Sequence, residues 1–98
     1  MRLADLAAGV GLGGKFRLVE ILGRGSYGDV WLARNVFGTL RAVKVVRAKD
    51  FPDAHPFDRE FRGIQRYEPV SRTHPALIDI LQVGRDEGGE YFYYVMEL

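Results

Sequence analysis

The sequence predicts an α+β fold, a five-stranded antiparallel sheet with one packed helix, and three observations point to it. Five short runs either alternate apolar and polar residues or are dense in β-branched and aromatic residues, and each is bounded by turn residues. One stretch, bracketed by Pro56 and Pro69, repeats its apolar residues at helical spacing. The chain has 98 residues, enough to bury a single small core, so no second domain is expected.

In chain order, residues 1–14 combine a Leu/Ala segment with the glycine-dense run from Gly9 to Gly14 and are expected to form a flexible lead-in, leaving 15–98 as the folded unit. Gly9 to Lys15 also satisfies G-x-x-x-x-G-K, the spacing of a P-loop. Phe16 stands where a Ser or Thr should hold magnesium, and strand-like residues follow where a helix is needed, so that reading is set aside. Residues 16–22 are the first strand, with Phe16, Leu18, Glu20 and Leu22 on one face and Arg17, Val19 and Ile21 on the other. The second covers 29–34, and Asn35, Gly38 and Thr39 carry the turn into a third over 40–46.

The helix is expected over 57–67. Pro56 is tolerated in a first turn, Pro69 stops the run, and Phe57, Phe61 and Ile64 make an apolar stripe. Asp58 reads as a solvated first-turn acid favoured by the helix dipole, Glu68 lies at the fraying end, and Glu60 sits beside the stripe. A fourth strand over 77–83 and a fifth over 91–96 are joined through the turn at Gly88 and Gly89.

The chemistry concentrates between the first and third strands. Gly23, Gly25 and Gly28 spell G-x-G-x-x-G at a hairpin tip, where a backbone without Cβ atoms can approach a phosphate chain closely. Alone, that motif is weak. The third strand adds Lys44 on the same face as Ala42, and an ammonium group flanked by Val43 and Val45 needs a negative partner if it is to be buried. Without phosphates nearby, its stem would simply snorkel to the surface.

The stretch Leu22 to Val30 together with Ala42-Val43-Lys44 resembles the Gly-rich loop and strand-three lysine of the protein kinase family, in the bacterial Ser/Thr manner, and residues 16–98 can be laid along that family's N-terminal lobe. The resemblance implies an ATP-binding lobe that transfers the γ-phosphate to protein hydroxyls once joined to a C-lobe. Gly23, Arg24, Gly25, Ser26, Tyr27 and Gly28 would cover the phosphates, Lys44 would bind them, and Glu60 would pair with Lys44 as the helix-C glutamate. Leu22, Val30 and Ala42 would enclose the adenine, Met96 would be the gatekeeper, and Glu97 and Leu98 would belong to the hinge. Ile64 and Ile80 match members of the family's hydrophobic spine, although core packing explains both equally well.

The 98 residues contain neither the catalytic loop nor the Asp-Phe-Gly of a kinase, so alone they are expected to be inactive, with Mg2+ held only by residues beyond this chain. Two other classes share these features. A pseudokinase-like lobe would bind nucleotide or act as a scaffold without catalysis. A dinucleotide-binding oxidoreductase would place a helix at the glycines and recruit Asp50 for a ribose.

Composition narrows the partners. Fourteen Lys and Arg stand against 13 Asp and Glu, scattered rather than striped, so nucleic acid is not expected despite the aromatic run Tyr91 to Tyr94. There is no cysteine, and His55 and His74 have no ligand spacing between them, so no metal site is expected. Asp5 interrupts the early apolar stretch, arguing against a secretory signal, and no run is long enough to span a bilayer; the expected location is the cytoplasm.

Overall fold

The computed structural model describes Gly9 and residues 11–12, 14–73 and 75–98. The elements are β1 (Gly11–Leu12), β2 (Phe16–Arg24), β3 (Gly28–Asn35), β4 (Leu40–Arg47), a 3-10 turn (Ala48–Asp50), α1 (Ala54–Ser71), β5 (Ile80–Arg85) and β6 (Tyr91–Met96). The strands form one antiparallel sheet in the order β1-β2-β3-β4-β6-β5.

The α+β class stands, but the sheet has six strands where five were expected. The additional one comes from the glycine-dense run: Gly11 pairs with Arg17 and Leu12 with Phe16, and the Lys15 N–H closes the turn onto the Leu12 carbonyl at 3.2 Å. Leu12 is completely buried, and that burial offsets the entropy of ordering glycines around it. A strand, β2, follows Lys15, which removes the P-loop reading. Residues 1–8 of the lead-in, and His74, lie outside the described residues.

Register divides the sheet into two faces, because paired residues on neighbouring strands point the same way. Phe16, Leu18, Trp31, Ala33, Val43, Val45, Tyr93 and Val95 share one face and form the larger core with Leu12 and Tyr91. Among the described residues no helix covers that face, and the sheet curls to enclose it. Two register breaks in β2, at Leu18/Glu20 and Ile21/Gly23, supply the bend, and Lys15 at one edge lines the same depression as Gln82 and Val83 at the other.

The opposite face receives α1. Val46, Phe57 and Phe92 form its buried centre, with Phe51, Phe61, Ile64 and Tyr94 packed around them. The expected stripe of Phe57, Phe61 and Ile64 is therefore the packing face. Phe57 and Phe61 each place their ring centroids 5.3 Å from that of Phe92. Asp58 is not a free solvated acid: its carboxylate accepts from Arg85 at 2.8 Å, and the Arg85 guanidinium lies 4.9 Å above the Phe61 ring.

The helix also outruns its expected bounds of 57–67. Asp53 caps its start by accepting from the His55 N–H at 2.8 Å, which places Pro56 inside the first turn, where a missing N–H costs nothing. Pro69 does not stop it. The Ser71 hydroxyl, fully buried, donates to the Glu68 carbonyl at 2.6 Å and accepts from the Ile80 N–H at 2.9 Å, holding the last turn closed and tying it to β5. Arg72 adds an ion pair to Glu68 at 2.6 Å.

Candidate functional site

The β2–β3 hairpin turns through Gly25, Ser26 and Tyr27, and the Gly25 N–H donates to the Gly28 carbonyl at 2.8 Å. Gly28 and Gly23 differ in what surrounds them. A Cβ on Gly28 would run into the carbonyl oxygen of Val45 on the neighbouring strand, so this glycine is a packing requirement. A Cβ on Gly23 would meet nothing within 4 Å, so protein packing gives no reason for that glycine.

Beneath the hairpin, Val30 pairs with Lys44 and Lys44 with Tyr94, while Ala42 lies between Leu32 and Met96. These side chains share the face that carries α1, yet α1 does not reach over them all. Val30, Leu32, Ala42, Lys44 and Met96 are each only partly buried, whereas Val43 and Val45 on the other face are buried. Half of this face is thus an apolar floor with a single ammonium group at its edge. Leu22, displaced outward by the second register break, is exposed, as are Gly23, Arg24, Gly25, Ser26, Glu97 and Leu98.

A cavity of about 410 Å³ opens between the hairpin, β4 and the start of α1. Lys44, Glu60 and Tyr27 line it, as the sequence grouped them, but so do Phe51, Arg59 and Tyr94, which sequence reasoning missed. The register that puts Tyr94 beside Lys44 joins strands 50 residues apart, so no local signal announced it. Leu22, Val30, Ala42, Met96, Glu97 and Leu98 do not line this cavity; Val30, Ala42 and Met96 form the open floor next to it.

Among the described residues no carboxylate comes within 4.0 Å of the Lys44 ammonium, so the structure brings Lys44 and Glu60 to one cavity without joining them. Glu60 instead acts on Tyr94: burial is the main cause that pushes the Tyr94 hydroxyl above its ordinary value, and the Glu60 charge adds to it. Burial likewise raises Tyr93, against a smaller opposing effect of the Gln82 hydrogen bond, and raises Tyr91, with Asp86 adding. Each raised hydroxyl keeps its proton longer in the folded chain than in the unfolded one. The stability it contributes is therefore complete below pH 10.0, the ordinary tyrosine value, and is lost as pH climbs through the folded values. Melting temperatures between pH 8.5 and 11.5 should fall steeply above about pH 10, and Tyr93→Phe should flatten that fall.

The hairpin is anchored at its base. Arg47, at the end of β4, donates to Asp29 at 2.9 Å and to Asp50 at 2.6 Å, and Asp29 is buried directly after Gly28. Tyr27 folds down on the face that carries α1, its ring stacked on Phe51 with centroids 4.7 Å apart. The loop, the strand bearing Lys44 and the linker into α1 are joined as one unit. This geometry overturns the oxidoreductase reading: Gly28–Asn35 is a strand where a dinucleotide site needs a helix, and Asp50 is engaged by Arg47.

Comparison with known proteins points one way. No protein-family profile matches the chain. It is 33% identical over 99 aligned residues to the serine/threonine-protein kinase PknA of Mycobacterium tuberculosis, covering 92% of this chain and 21% of that protein. A Streptomyces coelicolor protein named as a probable serine/threonine-protein kinase is 34% identical over 89 residues, covering 88% of this chain and 13% of its own length. The crystal structure of the Mycobacterium tuberculosis PknI kinase domain superposes with a TM-score of 0.70 at 28% identity, over 96% of this chain and 36% of that one. The chain thus spans about a fifth or less of these two curated relatives.

Proposed function

We propose that this chain, which is similar in sequence and fold to part of Ser/Thr protein kinases, is the N-terminal lobe of such a kinase, binds ATP and, joined to a catalytic C-terminal half, transfers the γ-phosphate to protein hydroxyls. The observation that carries the reading is the half-covered face of the sheet. Val30, Ala42 and Met96 form an apolar floor of the kind a flat base needs, and Lys44 stands at its edge below the glycine hairpin with no carboxylate within 4.0 Å among the described residues. A nucleotide supplies both missing partners: a planar apolar ring and a run of negative oxygens.

In this reading Leu22, Val30, Ala42 and Met96 enclose the base, and the Glu97 backbone with Leu98 forms the polar edge of its pocket. Gly23 to Gly28 present backbone N–H groups to the phosphates, with Arg24, Ser26 and Tyr27 above them, and Lys44 holds the phosphate charge in place. Glu60 fixes Lys44 when α1 moves inward, which makes the helix a switch on the ammonium's position. Mg2+ would be held by residues outside this chain, and the chemistry it would supply is charge neutralisation on the transferring phosphate. What these residues contribute is orientation and electrostatic stabilisation.

Lys44→Met tests it. The ammonium-to-phosphate contact is charge-assisted, and its loss should weaken binding of a fluorescent ATP analogue by roughly 10-fold to 100-fold. Lys44 is only half-buried, so the far-ultraviolet circular dichroism should not change. Equal affinity in the variant and the parent chain would remove Lys44 from this role.

A further inference from the structure

The end of the sheet away from the glycine hairpin carries a second feature, independent of the nucleotide reading. The β3–β4 turn is built rigidly: the Asn35 side chain accepts from the Phe37 and Thr39 N–H groups, both at 2.9 Å, and Gly38 takes a positive φ of 83°. This well-tied turn holds two apolar side chains out into solvent, Val36 at 69% and Phe37 at 88% exposure. Beside it, Lys15, Arg17, Arg34, Asn35 and Val36 line a depression of about 340 Å³ that contains no acidic residue. Arg17 and Arg34 are braced by backbone carbonyls, of Gly9 at 2.6 Å and Gly38 at 3.2 Å, and none of the three cations takes part in an ion pair among the described residues.

We propose that this end of the lobe docks on an anionic lipid surface, with Phe37 and Val36 entering the headgroup boundary and Lys15, Arg17 and Arg34 lying against the lipid phosphates. A protruding ring on a convex tip has no groove of its own to receive a peptide, whereas a bilayer interface accommodates such a ring without a shaped pocket. The charge sits where that insertion would place it, immediately behind the tip. Two apolar side chains are too few to hold a protein to neutral lipid, so attachment depends on both signals together. The glycine hairpin lies at the other end of the eight-residue β3, about 23 Å away, so docking leaves the cleft open.

Co-sedimentation of the chain with vesicles tests the proposal. Binding should be measurable on phosphatidylcholine vesicles containing a third phosphatidylserine, absent on pure phosphatidylcholine, and lost in high salt. Phe37→Ala should weaken it about tenfold, and each of Lys15→Gln, Arg17→Gln and Arg34→Gln about fivefold, with melting temperatures close to that of the parent because these side chains lie outside both cores. Equal binding to neutral vesicles, no binding to anionic ones, or indifference to all four substitutions would overturn it. So would displacement by millimolar inorganic phosphate, which would mark a small anion site, or equally tight binding of a polyglutamate peptide dependent on the same residues, which would mark an acidic protein partner.

Discussion

Gly28→Ala should destabilise the fold by about 3 kcal/mol or more, beyond the usual cost of an added methyl in a packed site. The new Cβ would collide with the Val45 carbonyl oxygen, and Val45 and Val46 are central-strand backbone with buried side chains, so neither can step aside like the tip of a flexible chain. Relief requires β3 and β4 to separate where Gly28 pairs with Val46. For a small domain whose whole stability is on the order of 5 kcal/mol, that leaves a large unfolded population at 37 °C. Gly23→Ala is the control. Its Cβ enters open space, so its urea midpoint should stay near that of the parent chain, while nucleotide affinity, if the hairpin closes on phosphates, should drop. Equal midpoints for Gly28→Ala and the parent would mean that the close approach of these strands is not enforced.

Arg47→Met should cost about 3 kcal/mol for a different reason. It keeps much of the apolar stem but leaves Asp29, whose side chain is 8% exposed, without its 2.9 Å partner. The alternative cation, Arg24, reaches only to 4.0 Å and is largely solvated. Removing the charge on the other side should recover much of the loss, so Asp29→Asn combined with Arg47→Met should be more stable than Arg47→Met alone. A double-mutant cycle in urea measures the coupling, expected at roughly 2 kcal/mol. Strict additivity would show that the pair contributes nothing beyond its separate contacts. Because Asp29 directly follows Gly28 and Asp50 leads into α1, the same variant should also loosen the hairpin, seen as faster amide exchange at Gly25 and Tyr27.

Strands were legible in the sequence where side chains alternate, as in β2, or where aromatic and β-branched residues are dense, as in β6, which is buried on both faces: Tyr91–Met96 was placed to the residue, and β2, β3 and β4 within two residues at each end. β1 was not, since Gly11 and Leu12 stand in a run with no period, and only the pairing with Arg17 and Phe16 gives Leu12 somewhere to go. The helix ran past Pro69 because its last turn is held by the Ser71 hydroxyl and by β5, both tertiary effects that local breaker rules cannot register. Of the residues that line the candidate cavity, Lys44, Glu60 and Tyr27 were grouped from the sequence by residue type and spacing, and Arg59 was not. Nor was the aromatic wall: Phe51 and Tyr94 reach the cavity through a linker turn and a cross-strand register, and Arg47 meets Asp29 across an interval of 18 residues.

Amide chemical-shift mapping during an ATP titration tests the central reading most directly, because it reports where a triphosphate sits without requiring catalysis. The largest shifts should fall on Gly23, Gly25, Val30, Ala42 and Lys44, with smaller ones at Met96 and Glu97, and Lys44→Met should need roughly 10-fold to 100-fold more nucleotide to reach the same shifts. Shifts confined to Lys15, Arg17 and the 36–39 turn, or none at saturating nucleotide, would contradict it.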